Sequence, residues 1–109
     1  MDDERLGVEK FVYGIKITRD DEEELLNLLT KMLRIVYDYS NIYVDFVAIT
    51  SDNIYIQWHF NAVDPCGNTI GTTYRYEKLD ELIRKFKEIK LPQRNELIHR
   101  LKEIVNSID

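Results

Sequence analysis

The chain has 109 residues, 44% of them hydrophobic and 32% charged, with a formal net charge of −5. That length fits a single domain spanning residues 1–109, large enough to bury about 65% of its unfolded-chain surface and fold without staples. A lone cysteine, Cys66, excludes an internal disulfide and a thiolate metal cluster within one chain; the acidic opening Met1-Asp2-Asp3-Glu4-Arg5 has no leader-like apolar core, and no apolar run reaches the ~20 residues that cross a bilayer.

These features imply a cytoplasmic, reducing setting with no membrane partner. The charge is uneven: residues 1–74 carry 6 basic and 13 acidic side chains, residues 75–109 carry 9 and 7. An acidic total argues against nucleic acid as the default partner, because duplex binding rests on neutralising phosphates. Abundant isoleucine, lysine, glutamate and tyrosine with scarce alanine suit a thermophile or an AT-rich, viral genome.

Residues 1–8 lack periodicity and are expected to form a loose arm. Phe11, Tyr13, Ile15 and Ile17 alternate with Lys10, Val12, Gly14 and Lys16, which predicts a first strand. Thr18 or Asp20 can cap the helix that follows, and this helix runs to about Tyr37. Its Leu25, Leu26, Leu28, Leu29, Met32, Leu33, Ile35 and Val36 cover about half the circumference, enough to meet both a sheet and another helix. The run Asp20 to Glu24 sits at the helix start, where acids favour the dipole, and implies no metal.

Three antiparallel strands are predicted between Ile42 and Tyr76. Ile54, Ile56, Trp58, Phe60 and Ala62 alternate with Tyr55, Gln57, His59, Asn61 and Val63, a strand with one buried and one wetter face. A three-residue loop, Ser51-Asp52-Asn53, would pair Thr50 with Ile54 and set Ala48, Phe46, Val44 and Ile42 on the Trp58 side. Asp64-Pro65-Cys66-Gly67 suits a type I turn. If Val63 then pairs with Thr69, Ile70, Thr72, Tyr74 and Tyr76 join the Trp58 side. In that register the His59 side carries Tyr43, Asp45, Val47, Ile49, Tyr55, Gln57, Thr73 and Arg75.

Leu79, Leu82, Ile83, Phe86 and Ile89 mark a second helix ended by Leu91-Pro92. Leu97, Ile98, Leu101, Ile104, Val105 and Ile108 mark a third. The expectation is an α+β fold in the order β-α-β-β-β-α-α, a mostly antiparallel sheet of about four strands with its helices mainly on one face.

Three surfaces carry candidate chemistry. Asp45, His59 and Thr73 would form a carboxylate–imidazole–hydroxyl row suited to base-assisted nucleophilic catalysis, against the plainer reading of a cross-strand hydrogen bond on a solvated sheet. Tyr43, Val47, Ile49, Tyr55, Gln57 and Arg75 make a face unusually apolar for one meant only for water, unless the third helix covers it. Arg84, Lys87, Lys90 and Arg94 could track a phosphate backbone, but Asp80 with Arg84 and Glu81 with Lys85 have the spacing of solvated helix pairs. Cys66 has no basic neighbour, His99 faces away from its helix's stripe, and no phosphate loop, paired-histidine motif or nucleophile elbow occurs. The leading expectation is a non-catalytic interaction module without cofactor, docking a protein or a second copy as a homodimer through the second of these surfaces; nucleic-acid binding is the alternative.

Overall fold

The computed structural model describes residues 12–13, 19–49 and 53–107, with side chains from residue 21 onward. Its elements are β1 (Val12–Tyr13), α1 (Arg19–Val36), β2 (Ile42–Ile49), β3 (Ile54–Val63), β4 (Thr69–Lys78), α2 (Leu79–Lys87) and α3 (Arg94–Asn106). The α+β class is as expected: β2, β3 and β4 form an antiparallel sheet, and the two residues of β1 lie parallel on the outer side of β2. The rest of the expected Phe11–Ile17 strand, the 1–8 arm and Thr18 as a helix cap lie outside the described residues, and Asp20 lies within α1 rather than capping it.

Helix α1 packs on β2 and also meets α2 and α3, while α3 packs on α1 and α2. That double duty explains the broad apolar surface of α1. Leu25, Leu29, Met32 and Leu33 are fully buried, and Leu26, Leu28, Ile35 and Val36 pack partly buried against the same core. On the sheet side the core takes Ile42, Val44, Val47, Ile56 and Trp58; Leu79, Leu82, Phe86, Ile98, Leu101 and Ile104 complete it from α2 and α3. Arg100 of α3 hydrogen-bonds both oxygens of Glu24 on α1, which holds that carboxyl below its ordinary range.

Helix α1 ends in a Schellman motif: Tyr39 N–H reaches the Arg34 carbonyl at 3.1 Å and Asp38 N–H reaches Ile35 at 3.3 Å. The left-handed position is held by Asp38 at φ 50°, a conformation that costs a residue with a Cβ on the order of 1 kcal/mol. Asp38→Gly is therefore expected to raise unfolding stability by about 0.5–1 kcal/mol in a urea titration. An unchanged or lower midpoint would contradict this account of the helix end.

Both hairpins contain a bulge that the alternation does not reveal. Ile49 pairs with Ile54 and Val47 with Ile56, but Val44 pairs with Trp58, leaving Asp45 as an extra residue between Val44 and Phe46. The expected Thr50–Ile54 register is thus corrected, and Thr50, Ser51 and Asp52 lie outside the described residues. Because a bulge puts two residues opposite one, the inward set of β2 switches from Ile42 and Val44 to Val47 and Ile49. In the second hairpin the turn forms as expected, with Gly67 N–H donating to the Asp64 carbonyl at 2.9 Å. Val63 does pair with Thr69, yet Ala62 pairs with Gly71, so Ile70 is the extra residue. From there on Thr73, Arg75 and Glu77 share the helix side with Phe60, Trp58 and Ile56, while Thr72, Tyr74 and Tyr76 share the other side with Asn61, His59 and Gln57.

Candidate functional site

The side of the sheet away from the helices carries Tyr43, Phe46, Tyr55, Gln57, His59, Tyr74 and Tyr76. At its centre the bulge aims the Asp45 carboxylate at His59, whose Nδ1 lies 2.9 Å from both carboxylate oxygens. The imidazole is flanked by the Tyr43 ring at 5.5 Å and the Tyr74 ring at 5.3 Å. Arg34 lies over the Tyr43 ring, with its guanidinium carbon 4.9 Å from the centroid.

Several expectations about this face are corrected by the two bulges. Thr73 stands opposite Phe60 on the helix side, so it does not complete a row with Asp45 and His59. The threonine on the open side, Thr72, donates its hydroxyl to Asn61 Oδ1 at 2.8 Å instead. The Asp45–His59 pair is therefore assembled without the hydroxyl that nucleophilic chemistry would need from Thr73. Val47 is wholly buried, Ile49 packs against the core, and Arg75 stands opposite Trp58 with its guanidinium carbon 5.6 Å from the Phe60 centroid. Of the six residues expected to bind a partner, Tyr43, Tyr55 and Gln57 lie on the open side and Val47, Ile49 and Arg75 do not.

The two sheet edges are treated differently. On the outer edge of β2, β1 pairs with Val47 and Ala48, Arg34 Nε donates to the Ile42 carbonyl at 2.9 Å, and Val44 N–H donates to Thr30 Oγ1 at 3.3 Å. Strand and side chains thus cap that edge along its length. Among the described residues no element pairs with the outer edge of β4, although this strand is 10 residues long. It also carries the most exposed large apolar side chains among them, Ile70 at 67%, Tyr74 at 58% and Tyr76 at 69%. Plain sequence alternation places all three on the buried side. An edge with free backbone groups and apolar flanks is what natural proteins ordinarily blunt with charge, proline or a cover.

Comparison with protein-family models, with curated proteins and with solved structures yields no match.

On the helix side, a cleft of about 800 Å³ opens between the end of α1, the start of α2 and β3–β4, walled by Tyr37, Trp58, Phe60, Arg75, Glu77 and Lys85 among others. Tyr37 donates to Glu77 Oε1 at 2.8 Å and accepts from Lys85 Nζ at 2.8 Å, and its ring lies 5.2 Å from that of Trp58. Partial burial pushes the Tyr37 hydroxyl above its ordinary pKa, and the bond to Tyr37 raises Lys85. Trp58 Nε1 is buried there without a hydrogen-bond partner among the described residues, and Glu77 Oε2 is buried 3.3 Å from Lys85 Nζ. Nothing in the sequence marks this cleft, because its walls come from four separate stretches of chain.

The basic helices are largely engaged with their own chain. Arg84 bonds Glu81, and Arg94 Nη1 donates to the carbonyls of Lys87 at 2.7 Å and Ile89 at 3.2 Å, closing the end of α2. Lys87 and Lys90 project as exposed lysines. Cys66 is an exposed thiol, no helix among the described residues is long and apolar enough to cross a membrane, and no cluster there has the makings of a metal site.

Proposed function

We propose that this chain is a non-catalytic interaction module that receives an extended strand of a protein partner along β4, with the tyrosines of the open face gripping it. The observation that carries this reading is the coincidence of the uncapped edge with the three most exposed large apolar side chains of the described residues. Strand addition draws affinity from main-chain hydrogen bonds and specificity from alternate side chains, which here are Thr72, Tyr74 and Tyr76 on one side. Tyrosine suits this work, since it buries area at low entropic cost while its hydroxyl stays wet. The single unpaired thiol agrees with a reducing, intracellular setting.

The Asp45–His59 pair then serves to stiffen the platform between Tyr43 and Tyr74. Amide hydrogen exchange tests the reading. Adding β-prone peptides, or concentrating the protein itself, is expected to slow exchange selectively at amides of Thr69–Lys78 and to leave β2 unchanged. If no peptide of any charge and no increase in concentration protects β4, the module is not a strand receiver.

A further inference from the structure

We infer that the strand received by β4 is β4 of a second copy, paired antiparallel about a two-fold axis through Tyr74, so that two sheets join into one. This deepens the strand-receiver reading and rests on it.

Residues directly opposite in an antiparallel pair share a face. A two-fold axis perpendicular to the sheet keeps both open faces on one side and both helical layers on the other. With Tyr74 on the axis, Tyr74 meets itself, Thr72 meets Tyr76 of the second copy and Thr73 meets Arg75. Gly71 meets Glu77. The amino half of β4, Thr69 to Thr73, is uncharged, whereas Arg75, Glu77 and Lys78 occupy its carboxyl half. Antiparallel overlap therefore opposes a neutral half to a charged one, and no like charges face each other. Moving the axis one residue toward Arg75 sets Arg75 against its own copy. Moving it further shortens the ladder, because α2 begins at Leu79. Moving it toward Thr73 brings the Ile70 bulge into the Tyr76 row.

Gly71 supplies an independent observation. Glycine inside a strand weakens it, and such a position often marks where another backbone approaches closely. Its φ is not positive, and a Cβ built there meets nothing within 4 Å. The isolated chain thus has no steric need for glycine at this position, and the missing side chain leaves the edge beside it clear for a second backbone.

Sedimentation equilibrium on the full chain is expected to show a monomer–dimer equilibrium. Tyr74→Lys and Tyr74→Asp, each alone, should raise the dimer dissociation constant about 100-fold, since each sets like charges across the axis. Mixing the two variants one to one should restore association to within about 10-fold of the wild type, because opposite charges then meet. Gly71→Val should weaken association while the unfolding midpoint holds or rises, as a β-branched residue favours a strand. Because Tyr74 is mostly exposed, the charged variants are expected to fold, and their unfolding curves confirm it.

A wild-type dimer indifferent to all three substitutions overturns this pairing and places self-association elsewhere on the molecule. A wild-type monomer at every concentration, whose β4 amides are protected only by foreign peptides, overturns the second copy as partner and leaves the strand-receiver reading standing. Charge variants that weaken association but fail to rescue one another overturn the axis at Tyr74.

Discussion

Val47→Asp is expected to remove the cooperative unfolding transition altogether, whereas the same substitution at its neighbour Phe46 leaves a folded protein. Val47 is fully buried opposite Ile56 on the helix side, and Phe46 lies opposite Gln57 on the open side. An uncompensated carboxylate at position 47 costs about 3–5 kcal/mol, to which the lost burial of valine adds roughly 1.5–3 kcal/mol. That sum rivals the whole stability of a domain this size, about 5–15 kcal/mol. Phe46 is partly exposed on the side away from the core, so its substitution forfeits only part of the roughly 1.5–3 kcal/mol of a fully buried side chain. Urea titrations of the two variants decide the matter. A β2 without the Asp45 bulge predicts the reverse order, so a tolerated Val47→Asp beside an unfolded Phe46→Asp would remove the register on which the open face depends.

The second large effect is expected at Phe86. Helix α2 touches α1, α3, β3 and β4, and Phe86 is its largest fully buried side chain. Truncation to alanine leaves a void walled by elements that pack on one another and so cannot collapse into it. The expected loss is about 3–5 kcal/mol, with the urea m-value unchanged. A loss below about 1 kcal/mol would mean that α2 is not the joint between the sheet and the helical layer. Neither substitution lies within β4, so any residual folded fraction should still associate.

How far the fold was legible from the sequence depended on how each strand is covered. In β3 the inward residues Ile56 and Trp58 are buried and the outward ones are half-wet, so a period of two survives in the sequence. In β2 the residues after Asp45 are apolar at every position, Phe46, Val47, Ala48 and Ile49, and either parity reads as buried. The pattern is silent there, and the bulge supplies the missing choice. In β4 the alternation misled: Tyr74 and Tyr76 read as core, but a phenol tolerates a wet face. Arg75 and Glu77 are accommodated on the helix side by the Phe60 ring and by Tyr37 with Lys85. The helices were readable because their stripes face one covered layer, and their observed limits differ from the expected ones mainly at the ends. Tyr43, Tyr55 and Gln57 were placed on the open side, while the uncapped edge depends on what does not pair with β4, which no local pattern records.

The extra residue at position 70 also fixes which half of β4 the outside world meets. Excising that one codon would close the bulge and leave Gly71 opposite Ala62, Tyr74 opposite His59 and Arg75 opposite Trp58, whereas drawing Ile70 into the ladder opposite Ala62 would roll Arg75 and Glu77 outward and turn the two tyrosines beneath the second helix. The scaffold thus stands a one-residue slip away from a charged exterior in place of an aromatic one, and it is the looping-out of Ile70 that keeps the aromatic one in place.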